Sequence, residues 1–228
     1  MEQASRVGII YFSDLLCIWA YAAQARVDEV KARFGAEVAF DYRFRGIFGD
    51  TAERIGEGWK AKGGYAGFNA HIRDVADRFD HIEVDPDIWL TVRPASSASA
   101  HLFLKAVALT EAETTAPAES ALEWAAWALR LAFFRDGRDI ATRAAQTDVA
   151  RELGLPVDAI QQSIDSGAAH AALCGDGALE QKLSIEGSPT FVLNEGRQKL
   201  YGNVGYRVIE ANLQELLRAP DLSEASWC

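Results

Sequence analysis

The residue best suited to do chemistry in this chain is a cysteine, Cys17, in the segment Tyr11-Phe12-Ser13-Asp14-Leu15-Leu16-Cys17-Ile18-Trp19-Ala20-Tyr21. An apolar run over 7–12 reads as a buried strand, and Ser13-Asp14 marks the turn out of it. Ala20, Ala22, Ala23, Ala25, Val27, Val30 and Phe34 then fall at helical spacing, so the helix begins at or just after the cysteine. The first turn of a helix offers unpaired backbone N–H groups and a partial positive charge, and both favour thiolate over thiol. A free cysteine of pKa ~8.5 is about 3% ionised at pH 7, and a fall of ~2 units, worth about 2.7 kcal/mol, leaves about three quarters ionised. Cys17 is therefore the candidate nucleophile and is expected to titrate below the free-cysteine value. The same position also suits a small buried hydrophobe, which is how most free cysteines behave.

A second motif lies at the far end of the chain, Gly187-Ser188-Pro189-Thr190-Phe191-Val192, a proline at the start of a strand. An ordinary first-residue proline is one reading, because that position need not donate to the ladder. The other is a cis Ser188-Pro189 bond that turns the N–H and C=O of Ser188 outward to pair with an extended peptide. Cys174, in Leu173-Cys174-Gly175-Asp176, has no readable distance to Cys17, and Cys228 is the last residue, a tail thiol. His71, His81, His101 and His170 lack ligand spacing, so no metal site is expected and they read as surface or core residues.

The elements around these residues must fit into 228 residues, 49% hydrophobic and 25% charged, an ordinary globular composition. The formal charge of -10 argues against nucleic acid or an anionic membrane as partner. No basic leader or run of ~20 apolar residues is present, and three cysteines make no disulfide framework, which together place the chain in the cytoplasm. Over 37–45, Val38, Phe40, Tyr42 and Phe44 alternate with Asp41, Arg43 and Arg45, a second strand with one buried face, so residues 1–45 form a βαβ unit with a parallel pair. Residues 46–183 read as an α-helical insertion. Loops and a short helix over 49–67 border a cleft with Trp59 and Tyr65; a helix over 68–79 and an extended stretch over 84–92 follow. Helices then run from a Ser96 or Ser97 cap to Thr110, over 119–135, over 147–153, after Pro156, and over 168–183. Trp124 and Trp127, three apart, read as core. Residues 184–228 return to strands over 190–193 and 199–204 and close with a helix carrying Tyr206, Ile209, Leu213 and Leu216 or Leu217 inward.

Over nearly its whole length the chain resembles the thioredoxin superfamily, specifically the DsbA branch and its FrnE-type members. The similarity lies in residues 12–21, in Ala132-Phe133-Phe134-Arg135-Asp136-Gly137-Arg138-Asp139-Ile140, and in residues 187–194. The resemblance implies an α/β thioredoxin-like fold interrupted by a helical insertion. It also implies Cys17 as nucleophile, Pro189 as the cis-proline, and substrate binding by Ser188, Pro189 and the motif residues Ile18, Trp19 and Ala20. The redox members carry Cys-x-x-Cys, whereas this chain has Cys17-Ile18-Trp19-Ala20, so the resolving thiol is missing. The related kappa-class glutathione transferases and 2-hydroxychromene-2-carboxylate isomerases place serine at that first position and use glutathione. Three functions stay open: monothiol disulfide exchange on a peptide or small thiol or disulfide substrate, glutathione-dependent transfer or isomerisation, and a binding module without chemistry. No covalently bound cofactor is expected, glutathione is the candidate co-substrate, and the oligomeric state, a homodimer among the options, is left open.

Overall fold

The computed structural model describes residues 6–112 and 120–218. Strand β1 (Val7–Ser13) leads through helices α1 (Ile18–Ala22) and α2 (Gln24–Phe34) to strand β2 (Val38–Phe44). The two strands run parallel, from Val7 beside Val38 to Ser13 beside Phe44, as a βαβ connection requires. A π-helical segment (Ala52–Glu57) and a 3₁₀ turn (Lys60–Lys62) follow, then six helices: α3 (Gly64–Ala76), α4 (Ala98–Ala112), α5 (Ala121–Phe134), α6 (Arg143–Glu152), α7 (Val157–Asp165) and α8 (Ala168–Lys182). The chain then returns to the sheet in β3 (Thr190–Leu193) and β4 (Gln198–Tyr201) and ends its described part in α9 (Tyr206–Leu217).

The strand order is β2-β1-β3-β4, with β3 antiparallel to both of its neighbours. Because β1 is flanked by β2 and β3, with Phe12 beside Thr190, its carboxyl end emerges next to the start of β3. This topology brings residue 17 beside residue 188.

Alternation along β1 sends Ile9 and Tyr11 into one layer, with Val27, Val30 and Phe34 of α2 and Ile209 and Leu213 of α9. Phe12 points the other way, into a cluster with Ile185 and Val192. A larger apolar core fills the insertion around the fully buried Trp89, whose ring lies 5.8, 5.6 and 5.1 Å from those of Phe48, Phe68 and Phe133. Leu15, Leu16, Cys17, Ile18 and Ala20 belong to that same core, so the cysteine segment packs with the insertion as much as with the sheet.

Several elements differ from the sequence pattern. The second face of β2 is covered by α8, because Asp176, fully buried, accepts hydrogen bonds from the Phe44 amide (2.9 Å) and from Arg43 (3.0 Å) and pairs with Lys105 of α4 (2.7 Å). Residues 84–92 form turns with a single bridge between Ile88 and Val92; Asn69 donates to the carbonyls of Pro86 and Ile88, supplying partners that a strand neighbour would otherwise give. Helix α6 starts earlier than expected, where the Thr142 hydroxyl caps the Ala145 amide. Trp124 is 52% exposed, since Ala125, Leu129, Ala132 and Phe133 form the inner face of α5, while the Trp127 ring packs tilted against Tyr21, centroids 5.2 Å apart. Strand β4 stops at Tyr201, because Gly202 takes a positive φ of 81° and its amide bonds the Pro189 carbonyl. Cys228 lies outside the described residues.

Candidate active site

Cys17 is the N-cap of α1, with extended dihedrals (φ -87°, ψ 114°), and its carbonyl accepts the amides of Ala20 and Tyr21, both at 3.0 Å. The Ser188-Pro189 peptide is cis. The Cys17 thiol donates to the Ser188 carbonyl at 3.3 Å, so the two motifs, 171 residues apart in sequence, share one site.

What holds them together is an aspartate, through its amide and its carboxylate, that the sequence pattern marked only as part of a turn. Asp14 is fully buried. Its amide donates to the Ser188 hydroxyl (2.9 Å); one carboxylate oxygen accepts the Leu16 amide (2.8 Å), and the other accepts the Phe48 amide (2.9 Å) and the Ser97 hydroxyl (2.8 Å). Behind it, buried His101 accepts the Leu15 amide at Nε2 (3.1 Å), stacks on Phe44 and stands 3.7 Å from Asp14 Oδ1. Burial pushes the His101 imidazole below its ordinary value, so it is neutral at pH 7 and free to accept. Asp14 and Ser97 could have been suspected from sequence: an acid between Phe12 and Leu15-Leu16 must find donors if its neighbours are buried, and a serine at a helix start often donates or accepts locally. Ser96, not Ser97, bonds the Ala98 amide at the head of α4.

The expectation of a depressed Cys17 pKa is overturned. Cys17 is only 6% exposed, and burial pushes its thiol above the ordinary value. Hydrogen bonding to the Ser188 side chain and to the backbone of Ala20 and Trp19 works the other way, but the Asp14 carboxylate adds to the rise. Helix α1 is five residues long, too short for its end charge to offset that desolvation. Cys17 is thus a protonated donor at neutral pH.

A cleft of about 430 Å³ opens beside the thiol. Cys17, Ile18, Trp19 and Ser188 line it; Ala20 is fully buried and Pro189 is buried, and neither forms part of the lining. The insertion contributes Phe48, Arg54, Trp59 and His71, which the sequence pattern did not connect to the cysteine beyond Trp59 as a cleft border. At the rim stands Tyr201, 60% exposed, whose ring lies so close to Gly187 that a Cβ there would sit 2.0 Å from it. Gly187 is therefore required for the ring to rest on the backbone just before the cis bond. Cys174 is exposed on α8 and is not among the lining residues.

The model of the DSBA-like thioredoxin domain matches residues 8–214 of this chain. The chain belongs to the DSBA-like thioredoxin family. Cytosolic disulfide reductase DsbM from Pseudomonas aeruginosa is 19% identical, covering 91% of this chain and 98% of its own, with a TM-score of 0.65. A structure of that protein with GSH gives 21% identity, 91% and 99% coverage and a TM-score of 0.63. A 2-hydroxychromene-2-carboxylate isomerase is 16% identical over 92% of this chain and 95% of its own, at a TM-score of 0.61. A thioredoxin-like oxidoreductase from Silicibacter pomeroyi is 18% identical over 95% and 90%, at 0.57. No curated protein matches. In this member the Cys17 thiol lies beside the cis-proline, and Ala20 stands three residues after Cys17. No helix among its described residues is long and apolar enough to cross a membrane.

Proposed function

We propose that the protein is a single-cysteine thiol–disulfide oxidoreductase, with Cys17 as nucleophile and a small thiol of the glutathione kind as co-substrate. The observation that carries this reading is one thiol placed 3.3 Å from the Ser188 carbonyl on an open cleft, with fully buried Ala20 in the resolving position. In the first step the Cys17 thiolate attacks a disulfide R–S–S–R′. The Cys17–S–S–R bond forms, the substrate S–S bond breaks, and R′–S⁻ leaves and takes up a proton. In the second, the thiolate of G–SH attacks the R sulfur, R–S–S–G departs, and Cys17 is returned as thiolate and reprotonated. The outward backbone of Ser188 pairs with the substrate chain next to its sulfur.

Burial of the thiol acts on the rate of this reaction: the thiolate is the reacting species, and a site that desolvates it keeps the reactive fraction of Cys17 small at pH 7.

Treatment with oxidised glutathione should give one glutathione adduct, mapped by mass spectrometry to Cys17, retained when Cys174 and Cys228 are both replaced by alanine and absent in Cys17→Ser. An adduct that survives Cys17→Ser, with none at residue 17 in the wild type, would sink the reading. One observation supports a second function: a protonated thiol against a carbonyl is a hydrogen-bond donor, able to stabilise the thiolate of a bound glutathione without bonding to it. On that reading the protein conjugates or isomerises an electrophile in the presence of glutathione and forms no adduct at Cys17.

A further inference from the structure

Three charged side chains line the Cys17 cleft. Two arginines reach it, Arg45 and Arg54. Arg45 is already engaged, pairing with Glu180 at 3.1 Å and donating to the Ile185 carbonyl. Arg54 is exposed and has no carboxylate partner among the described residues; its guanidinium lies 5.0 Å from the centre of the Phe48 ring, which steadies it by a cation–π contact. Phe48 is itself fixed, 4% exposed, with its amide bonded to Asp14. The guanidinium is therefore held over a residue that is tied to the cysteine loop.

The cleft carries one acid, Glu186, exposed and without a cation partner among the described residues. It lies two residues before Ser188, at the head of the cis-proline strand. His71 adds no charge at pH 7, because burial lowers its pKa. The cleft thus presents one available positive and one available negative group, from different segments, around a single thiol.

We infer that this cleft selects a zwitterionic thiol of the amino-acid or short-peptide type, Arg54 taking a carboxylate and Glu186 an ammonium group. The inference rests on the proposed reaction for its sulfur chemistry and extends it to the residues that recognise the co-substrate's charged groups. A neutral thiol leaves both charges unpaired. A thiol carrying only negative charge meets Glu186 and the net charge of -10. A zwitterion matches both groups with its sulfur toward Cys17, and Arg54 offsets the repulsion that a carboxylate feels on approach.

Binding of S-methylglutathione, which carries carboxylates and an ammonium group but cannot form a disulfide, separates this inference from the reaction itself. Measured by calorimetry or tryptophan quenching, Arg54→Gln and Glu186→Gln should each weaken binding about tenfold, the loss of one partly exposed charge-assisted contact. Wild-type binding should weaken with added salt. Lys60→Gln, which removes an exposed cation paired with Glu57 outside the cleft lining, serves as the control and should bind within twofold of wild type (about the scatter of such measurements). Both cleft residues are exposed, so the variants fold. Binding unchanged in both, equal weakening by Lys60→Gln, or no binding to the wild type would each overturn the inference, whatever the outcome of the adduct experiment at Cys17.

Discussion

Ala20→Cys supplies the second thiol of the redox members' Cys-x-x-Cys motif, which this chain lacks, and the structure fixes what that should do. Sequence alone makes the replacement look easy, since alanine is small and the site is a helix turn. In the structure Ala20 is fully buried in the core shared with the insertion, and its amide bonds the Cys17 carbonyl at 3.0 Å. Adding a sulfur to a filled site costs about 1–3 kcal/mol of overpacking. At about 2–4 °C per kcal/mol for a chain of this length, the reduced variant should melt roughly 2–12 °C below wild type. Its chemistry should improve all the same. Residues three apart across a helical turn are within the Cα separation of a disulfide, ~4.4–6.8 Å, so the new thiol can attack the mixed disulfide at Cys17. Against roughly millimolar external thiol, an effective molarity of even ~1 M, far below the ceiling for oriented groups, speeds release about a thousandfold. The assay is a pulse of oxidised glutathione, acid quenching at intervals and mass analysis of the intact protein. Wild type should accumulate the Cys17 adduct, and Ala20→Cys should pass through it to an internal disulfide and reduce insulin faster. Equal release rates in the two proteins would refute the reasoning, because they require a second resolving thiol in the wild type, and Cys174 would then be the one to remove.

Alkylation of Cys17 by iodoacetamide across pH should give an apparent pKa above the free-cysteine value of ~8.5, and Asp14→Asn should lower it, since that carboxylate contributes to the rise; no movement would take Asp14 out of the thiol's electrostatics. Asp176→Ala leaves Arg43 and the nearly buried Lys105 without their shared anion and should cost about 3 kcal/mol, the low end for breaking a buried pair because Arg43 is partly exposed, read as a lower urea midpoint. His101, whose folded pKa is lowered by burial, binds fewer protons folded than unfolded between that value and ~6.5, so stability is complete above pH ~6.5 and falls as pH drops towards the folded pKa. His101→Gln, which can still accept the Leu15 amide, should flatten that part of the stability curve; an unchanged slope would assign it to other groups.

The parts of the fold that repeat a period were legible in the sequence. Alternation in β1 and β2 and the run of small and apolar residues after Cys17 gave the βαβ unit, and the Gly187 to Val192 motif gave the start of β3. The cleft was hardly legible, because much of its lining comes from segments with no period, the π-helical stretch, the turn before β3 and the end of β4, and the period of α3 does not show that His71 meets them. The sign of the Cys17 shift was misjudged for a related reason. A local pattern shows that a thiol caps a helix; it does not show that the insertion closes over that cap, and the closure decides how much water the thiolate loses.

That closure also separates the two tasks of the site. The sulfur, its Ser188 partner and the cis bond come from the segments just after β1 and just before β3, while Phe48, Arg54 and Trp59 of the cleft lining come from the insertion. Asp14 is the joint, bonded on one side to Ser188 and on the other to Phe48 and Ser97. A substitution on the insertion side of this joint can change which thiol is admitted without touching the reacting atoms. A substitution at residue 20 lies beneath the cleft and changes how a mixed disulfide is released without touching what is admitted. The chain has alanine at that second position and a cleft lined by charge at the first, so in the proposed reaction release is the step left to an external thiol, and Arg54 and Glu186, the groups inferred to choose that thiol, stand on the cleft where it would enter.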